Sequence, residues 1–229
     1  SFVQSISSIK ISGPGIERDW QFRKTTDDHW IVQSPYQWKA NPYAIEKIFY
    51  QLRSLQWETR FDVDELNQAG DSVFVINQNI LAGLSRDLAT FLNQQVFSFV
   101  TPEVRAIQIQ DRAAGNVRVR IVRSGENWQF VSPIETAASH QAVQFLLGDL
   151  QELETREFFR PDEVPTNFES PALRVSLEGM NNRETVLIAG DDDLNDNGGR
   201  LWARRESFDT VFTLPQSLYN TLRSAQEIL

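Results

Sequence analysis

The sequence predicts an α+β fold: two related tandem domains, each an antiparallel β-meander packed with amphipathic helices. Three observations carry this. The phrase Trp–x–apolar–x–Ser–Pro occurs twice, from Trp30 and from Trp128. Ahead of each copy the apolar residues alternate, which is the period of a half-buried strand. Behind each copy they recur at three- and four-residue spacing, which gives a helix one apolar stripe.

From Trp30 to Trp128 the offset is 98 residues. At that offset Ser34, Pro35, Ala40, Ala44, Leu52 and Leu55 meet Ser132, Pro133, Ala138, Ala142, Leu150 and Leu153. Ile9 and Ile11 meet Ile107 and Ile109. Trp20 and Phe22 meet Val119 and Ile121 only after a slip of one residue, which a change in turn length absorbs. Two copies make a pair of related domains, not a solenoid. Their bounds are residues 1–100 for a shortened copy and 101–229 for a fuller one.

The elements follow in order. Strands over Ser8–Ser12 and Arg105–Asp111 each meet a Gly-containing turn, at Gly13–Pro14–Gly15 and Ala114–Gly115–Asn116. Second strands follow at Asp19–Lys24 and Val117–Arg123, and the Trp strands at His29–Gln33 and Asn127–Val131. Pro35 and Pro133 end the ladder, having no N–H to donate. Asn41–Pro42 and Ser139 then cap helices. One helix carries Ala44, Ile45, Ile48, Phe49, Leu52 and Leu55, and the other Ala142, Val143, Leu146, Leu147, Leu150 and Leu153. The fuller copy adds strands at Ala172–Glu178, Glu184–Ala189, Arg200–Arg204 and Thr210–Leu214, then a helix over Gln216–Ile228. The first copy has a short link instead, then "SVFVINQNILAGL" from Ser72, which matches "TVFTLPQSLYNTL" from Thr210.

Bulk composition bounds the function. With 229 residues, 41% apolar, 15 Phe and 6 Trp, the chain is globular. A net charge of −9 argues against nucleic acid as a partner. The alternation Val117–Arg118–Val119–Arg120–Ile121 reads as the solvated face of a strand, not a basic patch. There is no Cys, so disulfides, thiolate nucleophiles and Cys-ligated metals are excluded.

The motif order continues as "FFRPDEVP", "ALRVSLEG", "TVLIAG", "LWARR" and "VFTLP". With the preceding strand pair, Trp–Pro phrase and Ala-initiated helix, it resembles the bacterial domain-of-unknown-function family numbered 4340. Val104–Leu229 matches the full pattern, and Ile9–Val100 resembles it with the middle removed. The resemblance implies one N-terminal transmembrane anchor, a repeated part outside the cytoplasm, and ABC-type transport components of the gliding-motility kind as neighbours. It implies no catalytic residues. One departure is "FFRPDEVP", where the family often reads Tyr/Phe-Gly-Leu-x-x-Pro; the lost Gly alters a turn. The chain opens on Ser1, which is expected to follow a removed anchor.

Candidate chemistry is sparse. Asp193–x–Asn195–x–Asn197–Gly198 fits the first half of a Ca²⁺ loop, but the twelfth position is Arg204 where a bidentate Glu is required. A strand-to-strand turn is the competing reading. No cofactor is expected beyond that Ca²⁺ candidate. His29 and His140, the only histidines, read as a hairpin residue and a helix-start residue. Asp62, Asp64 and Glu65, and Asp162 with Glu163, are carboxylate clusters read as solvated loop charge. No G-x-S-x-G, P-loop or H-E-x-x-H occurs.

Duplication separates scaffold from site. Trp30 and Trp128 occur in both copies and read as core. Tyr36, Trp38 and Tyr43 align with Ile134, Thr136 and Gln141 of the other copy and form the candidate ligand or partner patch, with packing in the groove between the copies as the competing reading. The leading expectation is a non-enzymatic, extracytoplasmic interaction module. It is the soluble part of a membrane-anchored accessory protein whose partners are envelope proteins such as ABC-type transporter subunits. The alternative is a glycan- or peptide-binding domain using the aromatic patch between the repeats. A metal-dependent hydrolase centred on Asp191–Asp193 ranks last.

Overall fold

The computed structural model describes residues 6–12, 16, 18–53, 57–61, 73–76, 87–112, 117–155, 157–166, 168–180, 182–189, 200–218 and 221–222. Antiparallel sheet dominates an α+β architecture, with few helices. The chain divides into two compact units, Ser1–Asn93 and Gln94–Leu229.

In the first unit, β1 (Ser8–Ile11), β2 (Trp20–Lys24), β3 (Trp30–Ser34) and β4 (Trp38–Lys39) form one antiparallel sheet in sequence order. Helix α1 (Pro42–Arg53) follows. Asn41 starts it: its Oδ1 accepts from the Tyr43 N–H at 3.1 Å, and Pro42 fills the first helical position. The apolar stripe buries Ala44, Ile45 and Ile48. A separate pair, β5 (Trp57–Phe61) and β6 (Val73–Ile76), and a 3₁₀ turn at Leu88–Phe91 complete the unit. The Phe91 ring lies 5.7 Å from Trp20 and 5.5 Å from Phe22, so the turn closes over the sheet.

In the second unit, β7 (Ala106–Asp111), β8 (Val117–Ser124), β9 (Asn127–Ser132) and β10 (Thr136–Ala138) precede helix α2 (His140–Gln151). Then come β11 (Phe158–Phe159), β12 (Leu173–Glu178), β13 (Arg183–Ile188), β14 (Arg200–Arg205) and β15 (Val211–Pro215). All nine form one sheet in the order β10-β9-β8-β7-β12-β13-β14-β15-β11. Ile107, Ile109, Ile121 and Trp128 are buried, as are Val143, Leu146, Leu147 and Leu150 of α2. A second cluster of Phe168, Leu187, Ala189, Trp202 and Val211 takes Phe159 and Val164 against it. Each such large apolar side chain contributes roughly 1.5–3 kcal/mol on burial. Residues 216–218 and 221–222 are helical; the rest of the expected final helix lies outside the described residues.

The same pairing recurs in both units. Ile9 stands opposite Phe22, and Ile107 opposite Ile121. A bulge sits between Gln21 and Phe22 against β3, and between Arg120 and Ile121 against β9. Val32 faces Trp38, and Phe130 faces Thr136. Phe61 pairs with Val73, and Phe159 with Val211. The one-residue slip has a local cause. Ser124 and Asn127 pair around a two-residue loop in which Gly125 has φ 64°. In the first unit Thr25 and His29 hydrogen-bond around three residues, the last of which, Asp28, has φ 67°. These are the two commonest hairpin lengths, and each needs a left-handed residue at that point.

Two expectations need correction. Pro35 and Pro133 do not release the chain straight into a helix. Both Ser–Pro bonds are cis, and the chain doubles back to pair as β4 and β10. The segment after each helix is also not a plain link, since β5 and β11 are strands. Among the described residues, no helix is long and apolar enough to cross a membrane.

Candidate functional site

The aromatic patch expected from the sequence does not form around Trp38. That ring is 0% exposed. Its Nε1–H donates to the Asn93 carbonyl at 2.6 Å, within the first unit. The side chain is large and apolar, with one donor to satisfy, and a carbonyl from the far end of the unit satisfies it. Tyr36 is half-buried. Tyr43 is 80% exposed at the start of α1, where it points away from the buried stripe. The three residues thus divide between core and surface.

The titratable candidates also resolve into local roles. His29 is an exposed hairpin residue, and His140 is exposed at the first position of α2. Asp162 and Glu163 are both held by the Arg160 guanidinium, with N–O distances of 3.1 and 2.7 Å, and Glu163 Oε2 also accepts the Arg160 N–H at 2.7 Å at the start of the 3₁₀ turn Pro161–Glu163. Their carboxylates stabilise that turn in place of flanking a substrate. Asp193, Asn195 and Asn197 lie outside the described residues, as do Asp62, Asp64, Glu65 and Asp191. Among the described residues, no group of three His, Asp or Glu is placed to hold a metal.

Sequence reasoning missed the most buried ion pair among the described residues. Glu184 is the second residue of β13, and Arg205 ends β14. Arg205 faces Val186 across the ladder, so Glu184, two residues earlier, shares its side of the sheet. The two meet at 2.8 Å, Arg205 being 4% and Glu184 9% exposed. Glu184 Oε2 also accepts from the Ser98 N–H at 2.7 Å, and Arg205 donates to the Val96 carbonyl at 3.1 Å. The Val96 N–H donates in turn to the Leu153 carbonyl at 3.0 Å. One ion pair therefore braces a segment whose own backbone pairing is a single antiparallel bridge, Gln95 with Glu154, and the bonds beside it. The available signal was the alternation itself, with Glu184 in step with Val186 and Ile188, and Arg205 in step with Leu201 and Ala203.

Beside that clamp lies a cleft of about 320 Å³. Phe97, Val104 and Leu177 give it an apolar lining, and Ser98, Asn182 and Glu184 a polar one. Ser98 Oγ is buried with no hydrogen-bond partner among the described residues.

A second charge pair lies on the outer side of strands β7, β8 and β12. Arg120 donates to both oxygens of Glu178, at 2.9 and 2.8 Å, and to Gln108 Oε1 at 3.3 Å. These hydrogen bonds hold the Glu178 carboxyl below its ordinary range against an opposing effect of partial burial, and raise Arg120 in turn. The Arg-alternating strand is thus half-buried as expected, with Val119 and Ile121 inward. Compared with known proteins, no family model, curated protein or solved structure matches the chain.

Proposed function

We propose that the chain is a non-enzymatic interaction module, built as two related tandem domains by internal duplication. In this reading it is the extracytoplasmic, soluble part of a membrane-anchored accessory protein of an ABC-type transport system, with an envelope protein as partner. It resembles the family numbered 4340 in its order of motifs. The recurrence of bulge, hairpin and strand registers in both units supports the duplication.

The observation that carries the reading is how the best-formed charge pairs are used. Glu184 and Arg205 bind each other and backbone, and Arg120 and Glu178 bind each other across neighbouring strands, bracing the framework. Rigid surfaces framed this way suit docking. The test is deletion of the gene in its host, with in-cell cross-linking and protease accessibility in spheroplasts. A transport defect, external exposure and a cross-link to a transporter subunit are expected. Normal transport with no envelope cross-link overturns the proposal. Glycan binding through stacked aromatics loses its central ring, since Trp38 is buried.

A further inference from the structure

Strand β7 has two neighbours, β8 on one side and β12 on the other. Its register counterpart β1 has β2 on one side and is outermost in its sheet. The difference shows in burial. Ile107 and Ile109 are 0% and 1% exposed, whereas Ile9 and Ile11 are only half-buried.

Backbone directions match as well. The Lys24 N–H donates to the Ser7 carbonyl at 2.8 Å, as the Arg123 N–H donates to Arg105 at 2.8 Å. Alternation then turns Ile9 and Ile11 toward β2, and the N–H and C=O of Ser8 and Lys10 outward. In the second unit the counterparts of Ser8 and Lys10, Ala106 and Gln108, are paired on that side with Glu178 and Ser176 of β12. Among the described residues, nothing takes the outward groups of Ser8 and Lys10.

We propose that the outer edge of β1 docks an extended segment of a partner protein, antiparallel, with a carboxylate facing Arg23. This rests on the interaction-module reading and names its surface. The occupant's chemistry follows from the filled edge. Opposite Ile107 and Ile109 stand Leu177 and Val175, so apolar residues belong opposite Ile9 and Ile11. Opposite Ala106, the counterpart of Ser8, stands Glu178. Arg23 is exposed, directly across β1's ladder from Ser8, with no acidic partner among the described residues. A carboxylate arriving beside Ser8 lies over a small side chain and within the field of Arg23, whereas Lys10 is already paired with Asp19 at 2.6 Å. A second copy of β1 offers no such carboxylate. In the register that sets Ile9 against Ile11, it also sets Lys10 against Lys10, a repulsive pair. Lys10 on an open edge likewise disfavours indiscriminate pairing.

The probe is a synthetic peptide with the chain's own β12 sequence, Ala172–Gly179 ("ALRVSLEG"). It is titrated to millimolar concentration into the isotope-labelled full chain while amide resonances are followed. Saturable shifts centred on residues 8–11 are expected. Lys10→Pro, which removes an outward donor and leaves the bonds to β2, abolishes them. Arg23→Glu weakens the peptide about fivefold and instead favours a peptide with Lys in place of its Glu. Absence of saturation, shifts confined to the second unit, or indifference to both substitutions overturns the proposal. Concentration-dependent dimerisation through the same amides overturns it in favour of a second copy. An envelope cross-link that survives Lys10→Pro and Arg23→Glu sinks this edge alone. Peptide binding without any envelope partner sinks the module reading alone.

Discussion

Glu184 Oε1 lies 2.8 Å from Arg205 Nη2, and the same carboxylate accepts the Ser98 N–H at 2.7 Å. The pair is therefore a strut for the segment Val96–Ser98 as much as a link between β13 and β14. Removing one partner strands the other charge in a buried site. Arg205→Met is expected to cost about 3–5 kcal/mol in urea unfolding. The double variant Glu184→Leu, Arg205→Met is expected to be less destabilised than that single variant, because no unpaired charge remains. A double variant that is the worse of the two would mean the pair acts chiefly through the Val96 and Ser98 backbone.

Arg120 and Glu178 make an outer-face pair, with side chains 34% and 24% exposed. Glu178's folded value lies below its unfolded one, chiefly through the Arg120 hydrogen bonds. Its contribution is thus present above the unfolded value and is lost as pH falls through the folded value, on the acid side of the ordinary carboxylate range. Unfolding midpoints measured from neutral to acid pH are expected to fall less steeply for Glu178→Gln than for the parent. Parallel pH profiles would show that the pair contributes no linkage. Screening keeps the difference small.

Gly125 stands at φ 64°, and a Cβ built there meets nothing within 4 Å. Any cost of Gly125→Ala is therefore backbone strain alone, about 1–2 kcal/mol. Gly125→Asn is expected to recover part of it, since Asn tolerates the left-handed region. Asp28 holds the matching conformation at φ 67° without being Gly. Asp28→Gly is expected to be neutral or stabilising, because its ion pair with Lys24 involves an 84% exposed carboxylate. Thermal melts of the three variants check the order.

The order of the longer strands was legible because alternation and turn residues mark each of them. The hairpin slip was legible too, from Trp20 and Phe22 falling one residue out of step. What escaped were the five-residue β5, read as part of a link, and β4, β10 and β11, each only two or three residues long. No period can be read from so few residues, and a neighbouring strand supplies their pairing. Trp38, for which patch and packing were both open, resolves through a related non-local contact. It is unique to one copy, which suggested a surface role, but its partner Asn93 is 55 residues away. The Glu184–Arg205 pair is equally non-local, joining two strands and the segment ahead of β7.

Trp38 and Trp128 are both fully buried, at 0% and 1% exposure, but only one indole is satisfied. Trp38 Nε1 donates to Asn93, whereas Trp128 Nε1 is buried with no partner among the described residues. Substitution by Phe removes the same atoms from both rings. At position 38 it also leaves a carbonyl that has lost its donor, at a cost of about 1–3 kcal/mol. At position 128 it removes an unpaired buried donor, which offsets part of the lost packing. Trp38→Phe is therefore expected to be the more damaging by that margin. Amide exchange reads the opening free energy of each unit separately, so the two costs can be compared without assuming one unfolding transition. Equal costs would mean that the 2.6 Å hydrogen bond contributes nothing beyond packing, and that Trp38 is held in place by its shape alone.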